Sequence, residues 1–153
     1  MKTLQALHMS LFATPQQQLM LTVLHTASAL HRRHRTMLKP FDVTPEQFNI
    51  LRILRGQKGR PLPLRDISMR MIDRNSNTSR LIDKLVDKGH VNRESCPRDR
   101  RRVDILLTEQ GLAFTQELSN ILDAELSQLE DVWASEEALR AANLLDAWNA
   151  TQP

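Results

Sequence analysis

Four arginines, Arg98, Arg100, Arg101 and Arg102, crowd into five residues with Asp99 among them. A hairpin tipped by such a run repels itself unless a polyanion neutralises it. Just upstream, Asn75-Ser76-Asn77-Thr78-Ser79-Arg80 places short hydrogen-bonding side chains at the start of a helix. Short polar groups at a helix N-terminus suit base edges in a DNA major groove, and arginine on a loop suits phosphates or the minor groove. Together the two segments predict a winged helix-turn-helix.

The charge distribution agrees. The chain of 153 residues carries a net charge of only +3. Residues 50–102, however, hold fifteen Lys and Arg against six Asp and Glu, whereas residues 103–153 hold only Arg140 against ten acids. A basic middle beside an acidic tail predicts a lobe that faces nucleic acid and a lobe held away from phosphates. Ordinary solvated faces are the plainer reading of the same numbers. The one cysteine, Cys96, rules out an intrachain disulfide framework and fits a reducing cytoplasm. Cys/His clusters at zinc spacing and a Gly-rich phosphate loop are both missing, so neither a metal nor a cofactor is expected. Apolar runs fall short of a membrane span, and Gln5, His8 and Ser10 interrupt any signal-like segment.

Helix starts are marked clearly. Thr14-Pro15-Gln16-Gln17 and Thr44-Pro45-Glu46-Gln47 both offer a capping hydroxyl, a proline in the first turn and a glutamine at the third position. The first helix runs with Leu19, Val23, Leu24, Ala27 and Leu30 to about Leu38, and the second, with Phe48, Leu51, Ile53 and Leu54 as core, ends near Gly56. Pro61 and Pro63 bracket an extended link, followed by a brief helix from Leu64 to Met71. A helix from about Asn75 to Lys88 buries Thr78, Leu81, Ile82 and Leu85 and stops at Gly89. A hairpin follows, with strands His90–Ser95 and Arg102–Leu107 around a tip at residues 97–101. Thr108 caps a long helix carrying Leu118, Ile121, Leu122, Leu126, Leu129 and Trp133, and Ser135 caps a last one with Leu145 and Trp148. The terminal helices carry more apolar stripe than one small domain covers, which predicts a homodimer rather than a monomeric bundle.

From Thr44 to Gly111 the pattern resembles the MarR family of winged-helix bacterial regulators. The resemblance is carried by Leu51-Arg52-Ile53-Leu54, by Ser79-Arg80-Leu81-Ile82-Asp83-Lys84-Leu85, by Lys88-Gly89, and above all by Asp99-Arg100-Arg101-Arg102 with Leu107-Thr108-Glu109-Gln110-Gly111. It implies a mostly α fold, a winged helix-turn-helix with a small β-hairpin wing, and a helical dimerisation region built from both termini. The implied divisions are a dimerisation helix region at 1–42, a DNA-binding domain at 43–107 and dimerisation helices at 108–153. The implied function is that of a transcriptional regulator, acting as a repressor, whose homodimer grips an inverted-repeat operator in double-stranded DNA. Release by a small-molecule effector is a further implication. The chain departs from the family pattern in three places: Leu64 stands where a polar cap is usual, Ile72-Asp73-Arg74 replaces a glycine-containing turn, and there is no tyrosine. An aromatic ligand would have only Phe12, Phe41, Phe48, Phe114, Trp133 and Trp148 to stack on.

The candidate DNA-binding residues are Ser76, Asn77, Ser79, Arg80 and Lys84 on the helix and Arg98, Asp99, Arg100 and Arg101 on the wing. Asparagine can pair bidentately with adenine, serine can reach a base or phosphate, and Arg80 can reach guanine or a phosphate. The resemblance gives Asp99 the task of orienting Arg101 in the minor groove. The competing readings are that Asn75 and Ser76 merely cap the helix, and that the arginine run is a solvated turn. Cys96 beside so much positive charge could favour its thiolate, although a lone thiol on a wing is more often incidental. His25, His31 and His34 read as solvated or interface histidines. An enzyme would need a nucleophile–base pair or paired carboxylates in a pocket, and no spacing suggests one. A winged-helix protein-interaction module without DNA binding is the remaining alternative, to which Arg80 and the arginine tip run counter.

Overall fold

A computed structural model describes residues 14–74, 76, 77–96, 99–127 and 134–151, with only the backbone given for 95, 96 and 99–102. The described elements run α1 (Pro15–Leu38), a 3-10 turn (Lys39–Phe41), α2 (Pro45–Arg55), β1 (Leu62–Pro63), α3 (Leu64–Arg70), α4 (Thr78–Asp87), β2 (Val91–Cys96), β3 (Asp99–Leu107), α5 (Glu109–Ser127) and α6 (Ser135–Asn149). The three strands form one antiparallel sheet in the order β1-β3-β2. Mostly helical, with a small hairpin wing, it is the fold class expected.

Three of the four caps read from sequence, Thr14, Thr44 and Thr108, are in place; Ser135 instead is the first residue of α6, whose N-cap is Ala134 with no side-chain bond. Thr14 Oγ1 accepts from the backbone of Gln17, and Thr44 and Gln47 form a full reciprocal capping box that fixes where α2 begins. Leu64 begins α3 behind Pro63, without a side-chain cap, as the missing polar residue implied. The α3–α4 turn is held from outside instead: Asn49 Oδ1 on α2 accepts from the backbone of Ile72 at 3.0 Å.

Two clusters share the core. Ile50, Leu51 and Leu54 of α2 pack with Leu62, Ile67, Met71, Ile82, Leu85, Val91 and Ile105 beneath the helix-turn-helix. A second group joins Leu38 and Val43 to Phe48, Leu118 and Leu122, so α2 lies between the wing domain and the α1–α5 region. Polar ties follow the same route, with Arg55 Nη1 donating to Ser119 Oγ at 2.8 Å and Arg33 Nε to Glu125 Oε2 at 3.2 Å. Residues two apart on a strand share a face, which puts Val103 and Ile105 of β3 on the same side of the sheet. Ile105 is buried, whereas Val103 is exposed near the outer part of the wing.

Where α4 ends, Gly89 takes a φ of 74°, its N–H bonds Val86 O, and His90 N–H bonds Leu85 O, a Schellman turn. Thr108 then clamps that turn to α5. Its Oγ1 donates to Gly89 O at 2.7 Å and accepts from Gly111 N at 2.9 Å, and its own N–H bonds His90 O.

His90 is buried there, stacked on Phe114 with ring centroids 4.2 Å apart, and its Nδ1 has no partner among the described residues. Burial first, then the charge of Lys88, lowers its pKa from the ordinary imidazole value. His34 is lowered in the same way, by burial chiefly, with Glu125 opposing. The unfolded chain therefore takes up protons that the folded chain refuses. This contribution is full above about pH 6.5 and is lost as pH falls toward the folded values. Urea unfolding should show a lower midpoint at about pH 5.5 than at about pH 7.5, and His90→Phe, which keeps the stack, should narrow the gap. A gap of the same width in the variant would assign the effect elsewhere.

Candidate nucleic-acid interface

The helix bearing the candidate residues starts later than the sequence pattern suggested. It begins at Thr78, and the residue before it, Asn77, is the N-cap: its Oδ1 accepts from the backbone of Arg80 at 3.1 Å. The expected start at Asn75 gives way because the chain first makes a turn, with Ser76 N–H on Asp73 O and Thr78 N–H on Ser76 O. The capping that sequence assigned to Asn75 or Ser76 falls to Asn77; Asn75 lies outside the described residues. Asn77 thus has its carbonyl committed to the helix, with the amide group left to face outward. A bidentate pair with adenine would require the cap bond to open or be shared.

One side of α4 is core and the other is open. Thr78, Ile82 and Leu85 are buried, while Asn77, Ser79, Arg80 and Lys84 are exposed and Ser76 is half-buried. The helical period sets Arg80, Asp83, Lys84 and Asp87 along the outer face. Asp83 does not cancel its neighbours there, because Arg93 Nη2 from β2 donates to its Oδ1. That ion pair was not anticipated. It joins the helix to the wing, and an acid set between Arg80 and Lys84 was the signal for it. Between them, Ser79, Leu64, Arg93, Val103 and Ile105 line a cleft of about 250 Å³.

The wing is longer than the sequence suggested. Pairing continues outward through Ser95↔Val103 to Cys96↔Asp99, with an irregularity between Ser95 and Cys96. Asp99, Arg100 and Arg101, expected in the tip, are therefore part of strand β3. Arg98 lies outside the described residues, as do the side chains of Asp99, Arg100, Arg101 and Cys96. Among the described residues, no group of three His, Cys, Asp or Glu could hold a metal ion, and no helix is long and apolar enough to cross a membrane.

Comparison with known proteins agrees with this geometry. The MarR family model matches residues 43–103, the stretch from the start of α2 into β3. The transcriptional repressor MprA of Escherichia coli is 28% identical over 123 residues, covering 79% of this chain and 68% of MprA. The multiple antibiotic resistance protein MarR of the same organism is 33% identical over 92 residues, 60% of this chain and 62% of that protein. Among solved structures, a cysteine-to-serine mutant of E. coli MarR complexed with operator DNA superposes with a TM-score of 0.70 at 26% identity, covering 82% of this chain and 90% of that one. The regulator BldR from Sulfolobus solfataricus gives 0.74 at 25% identity, covering 86% and 94%. These relatives are regulators rather than enzymes. Residues 43–103 of this chain match the MarR family, and the fold superposes on solved regulators of that family over most of its length.

Proposed function

We propose that the protein is a cytoplasmic transcriptional regulator, acting as a repressor, that binds an inverted-repeat operator in double-stranded DNA as a homodimer. The observation that carries this reading is the exposed start of α4, with Asn77, Ser79 and Arg80 exposed on its outer side, in a chain whose strand β3 begins Asp99-Arg100-Arg101-Arg102. In this reading α4 enters the major groove, Arg80 and Ser79 meet base edges or phosphates, and Lys84 meets the backbone further along. Arg101 enters the minor groove with Asp99 orienting it, and Arg98 and Arg100 meet phosphates. Residues 43–107 would form the DNA-binding unit, with 1–42 and 108–153 supplying dimerisation. The name of MprA as a repressor supports the sign of regulation.

Selection of random duplexes by the purified protein tests the reading. Enriched sites should be imperfect inverted repeats with half-site centres about one helical turn, ~10 bp, apart. Enrichment of sites without two-fold symmetry would overturn the dimeric mode, and failure to enrich any site would favour a protein-interaction module.

Arg80→Ala and Asn77→Ala should then differ. Arg80→Ala should cost roughly 1–3 kcal/mol on the selected operator, with loss of preference at one position in each half-site. Asn77→Ala should lower operator affinity and also the melting temperature, because it removes the cap at a cost of ~1 kcal/mol. Titrations against operator and scrambled duplex, alongside thermal melts, separate the two effects. Arg80→Ala losing equally on both duplexes would reduce Arg80 to a phosphate contact.

A further inference from the structure

The turn that joins α3 to α4 carries the most exposed large apolar side chain among the described residues. Ile72 is 86% exposed there, and Met69 in the last turn of α3 is also open. Single apolar residues on a surface need no explanation by themselves. Two features set Ile72 apart.

The first is that the chain around it is pinned. Met71, immediately before it, is sunk in the core with Ile67 and Ile82. The backbone N–H of Ile72 bonds Asn49 Oδ1 at 3.0 Å, and Asn49 stands in α2 between Phe48 and Ile50, both buried. Just beyond, Ser76 N–H bonds Asp73 O and leads into the Asn77 cap. The isoleucine is therefore held in place by the core on one side and the cap on the other. Ordering it is part of folding, so a ligand that meets it does not bear that cost.

The second is where it is held. The turn runs directly into the exposed start of α4, and Ile72 lies five residues before the N-cap. Arg70 and Arg74, both exposed, flank it in the chain. Guanidinium groups suit phosphates, whereas a branched apolar side chain between them has nothing to offer one. The backbone at Ile72 lies outside the positive-φ region, so a polar residue would fit the turn equally well and suit water better. On the base edges of a major groove the apolar group is the 5-methyl of thymine; the other groups are hydrogen-bond donors and acceptors.

We infer that Ile72 is a specificity-determining residue that packs on the 5-methyl group of a thymine in each operator half-site, and that Asn49 is the positioning residue that keeps it there. Cytosine in place of that thymine would set an amino group against a side chain with no acceptor. The inference rests on the reading of α4 as the recognition helix.

Deoxyuridine lacks only the methyl group of thymidine, and it supplies the test. Each thymine of an operator enriched by selection is replaced symmetrically in both half-sites, and the full chain is titrated with each duplex. At one position the wild type should lose about fourfold per half-site, the scale of one buried methyl group, and so about fifteenfold in all. Ile72→Ala should bind the thymine and deoxyuridine duplexes equally there, with an unchanged melting temperature because the side chain is exposed. Asn49→Ala should lose the same discrimination. Asn49→Asp keeps an accepting oxygen and should restore it; the ratio of the two affinities cancels any general loss from the added charge. An operator in which no thymine responds to loss of its methyl, or a response that Ile72→Ala leaves intact, would overturn the role of Ile72 and leave the DNA-binding reading standing. Asn49→Ala with the wild-type ratio would overturn the role of Asn49. A wild type that enriches no duplex would overturn the DNA-binding reading itself, and this inference with it.

Discussion

Replacing Gly111 by alanine should unfold the protein or lower its stability by about 2–4 kcal/mol. On propensity alone the change would help, since Gly111 lies in the first turns of α5, where alanine is favoured by up to ~1 kcal/mol. Space decides against it. A Cβ at this position would stand 1.9 Å from His90 O and 2.8 Å from His90 C, both backbone atoms. No flexible side chain can give way, so α5 must lift from the α4–β2 turn. That movement would strain Thr108, whose hydroxyl links Gly89 O to Gly111 N, and would open the His90–Phe114 stack. Chemical denaturation of the variant beside the wild type measures the loss. Unchanged stability would mean that α5 is not seated on this turn.

Most of the fold could be read from local signals with known physical meaning. The Thr-Pro-x-Gln starts of α1 and α2 fixed two helix boundaries because a cap is a short-range hydrogen-bond arrangement between residues three apart. Gly89 marked the end of α4 because only the left-handed region closes a Schellman turn there. The start of α4 was misplaced because three successive residues, Asn75, Ser76 and Asn77, are all good caps. Which one acts is settled by the preceding turn, itself held by Asn49 from another helix. Contacts of that kind carry no sequence period. The Arg55–Ser119 bond has the same character, since it joins elements far apart in the chain, and the Asp83–Arg93 pair, on consecutive elements, depends on how β2 returns along α4.

Long-range packing also changes how the α5 stripe is read. Leu118, Ile121, Leu122 and Leu126 look alike in sequence, yet they divide between two surfaces. Leu118 and Leu122 are buried within the protomer against Leu38, Val43 and Phe48, whereas Leu126 is 45% exposed. Aspartate at Leu122 would therefore damage the protomer's own core. It could not separate loss of dimer from loss of fold.

Paired substitutions Leu24→Asp and Leu144→Asp should instead give a folded monomer that loses at least about a hundredfold in operator affinity. Both side chains are exposed in the protomer, at 61% and 66%, and they belong to wider apolar faces. On α1 that face includes Leu19, Met20 and Leu21, and on α6 it includes Leu139, Leu145 and Trp148; no residue of α6 is buried. So much apolar surface on two helices is more than scattered exposure explains and marks an interface in the homodimer proposed above. A charge placed in such an interface is unpaired and desolvated, so the dimer should dissociate while the two protomer cores stay intact. The affinity loss follows from linkage. When one α4 is bound, the second searches only the volume its partner allows, and such tethering raises overall affinity by roughly 10²–10⁴ over a single site. Sedimentation should show a wild-type dimer and a variant monomer at micromolar concentration, with matching circular dichroism. Titration with operator duplexes should show the variant binding a half-site as well as a whole one. A wild-type monomer would remove the basis for two-fold operator recognition, and a monomeric variant with full operator affinity would show that one recognition helix and one wing suffice.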